Sequence, residues 1–246
     1  MDIQTSSCVP LSSGYYQVIF CNIACSTVWF SLWQSSYFDG YIVFCGEDEE
    51  VLADAHRLYE QHWEDASVLS SDFKATVYKL ALKRGGVEDY EKILATYYAT
   101  EDNALRKVPM QALGAAPSKE LKVRTLDWAV KSGDVKLQDF FYPIGAVSNS
   151  GKEGAQLAFD YFKENLDLIR NMLSKASPSL MDAVIVYSCG GFSTLERAAE
   201  LETFFQENPF PSSKRRIENM LENMRNAGAM LEKVKQSPLV EDSFWA

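Results

Sequence analysis

The chain has 246 residues, 47% of them apolar, which suffices for one large domain or two small ones with a buried core. Its formal net charge is −10, from 34 acidic and 24 basic residues. That balance speaks against nucleic acid as a partner, which needs a clustered basic face; the one dense basic run, Lys214-Arg215-Arg216, is short and opens a helical pattern.

Residues 1–45 stand apart. They hold no Lys or Arg, and the first basic residue is Arg57. The stretch QVIFCNIACSTVWFSLW is apolar but broken by Asn22, Ser26, Thr27 and Ser31, and it falls short of the roughly 20 residues a membrane span needs. No basic n-region marks a secretory signal. The segment fits a short hairpin, a weak anchor over 15–45, or sequence foreign to the downstream domain, so membrane contact stays open there. Cys8, Cys21, Cys25 and Cys45 lie in it, with Cys189 alone downstream. An odd count without scaffold spacing implies free thiols in a reducing compartment, and no second pair comes after Cys21 and Cys25 to complete a zinc site. There is no Asn-x-Ser/Thr sequon. A cytoplasmic location is expected.

From residue 46 the apolar residues recur at helical spacing. EDEEVLADAHRLYEQHWED places Val51, Leu52, Ala55, Leu58, Tyr59 and Trp63 on one face, with acidic residues at its start, where the helix dipole favours them. SDFKATVYKLALKRGG ends on basic residues and Gly85-Gly86. Next come VEDYEKILATYYATE, then NALRKVPMQALGAAP with Pro109 inside it, then SKELKVRTLDWAVKSGD. A shorter segment, VKLQDFFYPIGAV, precedes a long helix over about 151–173; apolar 179–190, then 194–207 and 213–235, complete about ten helices. Turns of two to six residues make sequential helices antiparallel neighbours. The expected class is all-α: stacked antiparallel helix pairs forming a HEAT/armadillo-like superhelical bowl, without a strict sequence period.

The chemistry-bearing motifs each have a plain structural reading. PIGAVSNSGKEG, residues 143–154, looks like a phosphate-binding loop, but five residues separate Gly145 from Gly151 where a Walker loop has four. Glu153 stands where a magnesium-ligating hydroxyl belongs, and its carboxylate repels phosphate. Ser150 and Glu153 instead have capping-box spacing, with Pro143 and Gly145 ending the preceding helix. The only histidines, His56 and His62, fall on different faces of one helix. Cys189, in YSCGGFS, sits at an apolar helix end rather than beside a base. No catalytic, cofactor-binding or metal-ligating residue is therefore assigned.

Five segments in order carry a resemblance: DFKATVYKLALKRGGVEDYEKILATY, ALGAAPSKELKVRTLDWAV, KLQDFF, GAVSNSGKEGAQLAFDYFKENLDLI, and FSTLERAAELETFFQENPFPSSKRRIENMLENMRNAGAML. The most specific marks are Gln138-Asp139, the Ser, Gly, Ala and Asn run from Ser148 or Ser150 through Asn165, and the stretch from Pro211 to Asn219. Over roughly 46–236 the chain resembles the C-terminal helical domain of zinc aminopeptidases of the puromycin-sensitive, aminopeptidase N and endoplasmic-reticulum type. The family often has Trp where Phe159, Leu166 and Met230 stand here. GAMLE, 228–232, is close to the Gly-Ala-Met-Glu-Asn signature of zinc exopeptidases, but Leu231 takes the Glu position inside a terminal amphipathic helix.

The resemblance implies a domain, residues 46–246, that closes over a catalytic domain, shapes the chamber in which peptides are trimmed, and does no chemistry itself. Zinc and its ligands would belong to that catalytic domain, and residues 1–45 fall outside the resemblance. The implied partners are a peptide substrate or a catalytic aminopeptidase domain. A stand-alone helical-repeat scaffold for another protein is the alternative.

Overall fold

The computed structural model describes residues 49–237; the expectations for residues 1–45, including the anchor and the four cysteines there, lie outside the described residues. Those described residues form eleven α-helices and three short 3-10 turns, with no strand. The expected all-α class is the observed one. The chain divides into two compact units at Asp72/Phe73.

In the first unit, α1 spans Glu49–Glu64, and Asp65 caps the short turn Ala66–Val68 by accepting from the Ser67 N–H at 2.9 Å. The buried face of α1 is Val51, Leu52, Ala55, Tyr59 and His62. Trp63 is 41% exposed, contrary to its expected place in that face. At about 100° per residue, position 62 returns to within about 20° of Val51, whereas position 63 lies about 120° away. Trp63 meets Tyr59 edge-on, with ring centroids 5.5 Å apart.

The second unit begins within α2 (Ser71–Arg84) and continues through α3 (Val87–Ala99), α4 (Asn103–Ala112) and α5 (Lys119–Lys131). Their starts are written in the sequence. Asp102 accepts from the Ala104 N–H at 2.7 Å and Ser118 from the Leu121 N–H at 3.1 Å. Asp89 reaches back to the Gly86 N–H at 3.1 Å. Polar side chains join α3 to α5: the Tyr90 and Thr125 hydroxyls lie 2.9 Å apart in the core, and Trp128 Nε1 donates to the Tyr98 hydroxyl at 3.0 Å.

The centre of this unit is α6 (Phe141–Ser148), an eight-residue helix apolar on every side. A helix without a polar face must be enclosed. It packs against α4, α5, α7 (Lys152–Glu164) and α9 (Pro178–Cys189), with Ile144 and Val147 fully buried. Pro143 and Gly145 lie inside this helix rather than ending it. Pro143 falls in the first turn, where a missing N–H breaks no helical bond. The 3-10 turn Leu113–Ala115 lies backbone to backbone on α6: a Cβ on Gly114 would stand 2.2 Å from Val147 N.

The expected long helix over 151–173 is two helices, α7 and α8 (Leu166–Leu173), broken at Asn165. The Asn165 side-chain amide donates to the Tyr161 carbonyl at 2.9 Å, beside the backbone N–H at 3.0 Å, so a local side-chain bond competes with continuation of the ladder. The last pair, α10 (Leu195–Glu207) and α11 (Lys214–Lys235), packs together, with the turn Pro211–Ser213 between them. Phe159 and Phe162 of α7 meet Phe204 of α10 edge-on at 5.7 and 6.2 Å, and Phe210 stacks on Phe162 at 6.3 Å. Edge-on pairs of this kind add stability beyond the area they bury.

Candidate functional site

The glycine-rich loop turns α6 into α7, as a strand-to-helix phosphate loop would not. Its expected capping box does not form. The residue before α7 is Gly151, at φ +125°, and the Ser150 hydroxyl donates backwards to the Val147 carbonyl at 2.7 Å. Only a residue without a Cβ adopts that backbone cheaply, and it swings Ser150 away from the amides it was expected to cap. The loop ends at Lys152, the first residue of α7.

Lys152 lines a cleft of about 540 Å³ bounded by the starts of α5, α7 and α10. Lys119, Lys122 and Arg197 also line it, as do two carboxylates, Glu153 and Asp160. Burial pushes the Lys122 ammonium below the usual lysine range, against the opposing pull of Glu153. Arg197 bonds Glu200 on its own helix and the Gln156 side-chain oxygen on α7, and its guanidinium lies 4.9 Å from the centre of the Phe192 ring. Gln156 in turn donates to Asp160 at 2.8 Å, and Lys163 pairs with Asp160 at 2.9 Å. A basic cluster drawn from three helices far apart in sequence gives no signal along the chain, and sequence reasoning missed it. A smaller cleft of about 330 Å³ lies between α9 and α11, lined by Phe192, Arg216, Met220 and Met224.

The other sequence candidates lie on three of the described helices. Cys189 ends α9 fully buried, and burial pushes its thiol up, away from the reactive thiolate. His56 lies on the partly exposed side of α1, 3.6 Å from Glu60, while His62 is on the buried face. Among the described residues no group of three or more His, Cys, Asp or Glu side chains could hold a metal ion, so they do not supply the donor set zinc needs. GAMLE runs along α11, with Gly228 against Leu195 of α10. Of the three positions where the family often has Trp, Phe159 and Leu166 are buried, while Met230 is 67% exposed. No helix among the described residues is long and apolar enough to cross a membrane.

Comparison with known proteins bears on this helical unit. Residues 40–226 match the ERAP1-like C-terminal domain. Over 149 residues the chain is 27% identical to aminopeptidase M1-B of Oryza sativa subsp. japonica, covering 61% of the chain and 16% of that protein. It is 24% identical over 180 residues to the alanine/arginine aminopeptidase of Saccharomyces cerevisiae, covering 73% of the chain and 21% of the relative. It is 20% identical over 149 residues to the puromycin-sensitive aminopeptidase of Caenorhabditis elegans, again 61% of the chain and 16% of the relative. The chain thus spans about a fifth or less of the length of these relatives. With three quarters of its residues inside the match, the chain belongs to the ERAP1-like C-terminal domain family, the C-terminal domain of aminopeptidases of the M1 and puromycin-sensitive kind.

Proposed function

We propose that this chain supplies the non-catalytic, peptide-handling part of an aminopeptidase of this family. The observation that carries the reading is the family match over 40–226, together with relatives that are aminopeptidases of much greater length. In such an enzyme the domain closes over the catalytic domain, and its stacked helix pairs curve into a bowl that forms one wall of the peptide chamber. It governs which peptides reach the zinc-bearing site, whose metal and ligands belong to the catalytic domain. The working unit is residues 46–246, and its place of action is the cytoplasm.

The test is turnover of aminoacyl-coumarin substrates by the purified chain with added zinc. The reading predicts no chelator-sensitive release of coumarin. Chelator-sensitive release that survives further purification contradicts it.

A further inference from the structure

Three helices begin at the same cleft. Lys119 is the first residue of α5, Lys152 the first of α7 and Arg197 the third of α10. Each helix is 13 residues long, so each brings the positive end of a full dipole to that place. Lys122 adds a fourth cation one turn into α5. In a chain of net charge −10, this is a local concentration of the opposite sign.

The cations differ in how they are used. Arg197 is already committed to Glu200 and Gln156. The ammonium groups of Lys119, Lys122 and Lys152 make no ion pair or hydrogen bond with any described residue. Asp160 is taken by Gln156 and Lys163, and Glu153 is the one carboxylate facing Lys122 among the described residues. Holding Lys122 half-buried without a bonded partner costs stability.

Glu153 and Asp160 oppose a compact dianion such as phosphate. They oppose far less a chain whose single charges are spaced to meet the lysines one by one. The cleft lies within the size range of ligand sites, and Pro117 and Leu157 add apolar surface to its charged lining. We propose that it binds the acidic side chains of an extended peptide, with at least two carboxylates shared among Lys119, Lys122 and Lys152. This rests on the peptide-handling reading and names the peptide class.

The experiment uses the 246-residue chain and fluorescence anisotropy. The probe is a fluorescein-labelled Ala-Glu-Ala-Glu-Ala amide, blocked at both ends so that no terminal carboxylate contributes, compared with its Gln counterpart. The Glu peptide binds about tenfold tighter or more, and the difference shrinks as salt rises. The double substitution Lys122→Gln, Lys152→Gln abolishes the difference with thermal unfolding retained. The exposed Lys119→Gln alone reduces it, which keeps the test informative where the double variant fails to fold. Equal binding of the two peptides overturns the cleft assignment while leaving peptide handling intact. Absence of binding by either overturns both. Lysine-dependent binding of inorganic phosphate without binding of the Glu peptide overturns the carboxylate assignment.

Discussion

The Tyr161 hydroxyl donates to Asp127 Oδ1 at 2.8 Å, tying α7 to α5, two of the three helices that wall the basic cleft. Lys131 holds the same carboxylate from one turn along α5, at 2.7 Å. Burial opposes the charge on Asp127, yet the bonds from Lys131 and Tyr161 outweigh it and hold the carboxyl below its ordinary range. The contact lies outside the cleft but joins two of the helices that carry its lysines. Tyr161→Phe should cost about 1 kcal/mol in urea unfolding, since the pair is partly solvent-screened.

The same pair sets a pH dependence. Because the folded carboxyl is depressed, its contribution is present above the unfolded range near pH ~4 and is lost as the pH falls through the lower folded value. Unfolding free energy should decline on acidification below about pH 4, and the decline should be shallower in Asp127→Asn. Equal slopes for the two proteins would show that the pair does not bear on acid stability.

Lys122 predicts a gain of stability on removal. Burial disfavours its charge, and no bonded partner among the described residues offsets that. Lys122→Met should raise the melting temperature at pH 7, while Lys119→Met, on the exposed first turn, should leave it nearly unchanged. A fall in Tm for Lys122→Met would mean that the ammonium is compensated in the folded chain.

Gly114 and Gly86 form a matched pair of tests. A Cβ at Gly114 would overlap the α6 backbone, whereas one at Gly86 meets nothing within 4 Å. Gly114→Ala should cost about 3 kcal/mol or prevent folding, because two backbones must part. Gly86→Ala should cost less than about 1 kcal/mol. Chemical denaturation of the two variants side by side measures the difference.

Cys189 should resist labelling. The native chain treated with a thiol reagent at about pH 8, near the ordinary thiol range, should leave the Cys189 peptide unmodified in a mass-spectrometric map, and denaturant should make it react. Modification of the native protein at this position would contradict its enclosure at the end of α9.

The helices were legible because their determinants are local. Apolar spacing located α2 through α5, and the structure shows two of their starts capped locally, by Asp102 and Ser118. What failed needed tertiary or side-chain competition to resolve. Asn165 breaks α7 from α8 through a side-chain hydrogen bond to the Tyr161 carbonyl that periodicity does not register. Pro143 and Gly145 suggested a helix end, but both are buried inside α6, which runs on to Ser148. Ser150 had the right spacing from Glu153 to cap, and the positive φ of Gly151 turned it away. The cleft was illegible because Lys119, Lys152 and Arg197 meet only when three helix starts converge.

The central claim, that this domain handles peptides without cutting them, is tested most directly by equilibrium dialysis of a mixed peptide pool against the chain with zinc present, with mass spectrometry of both chambers. The account predicts peptides enriched on the protein side with intact N-termini, acidic sequences foremost. Chelator-sensitive loss of N-terminal residues, or equal concentrations on both sides for every peptide, would contradict it.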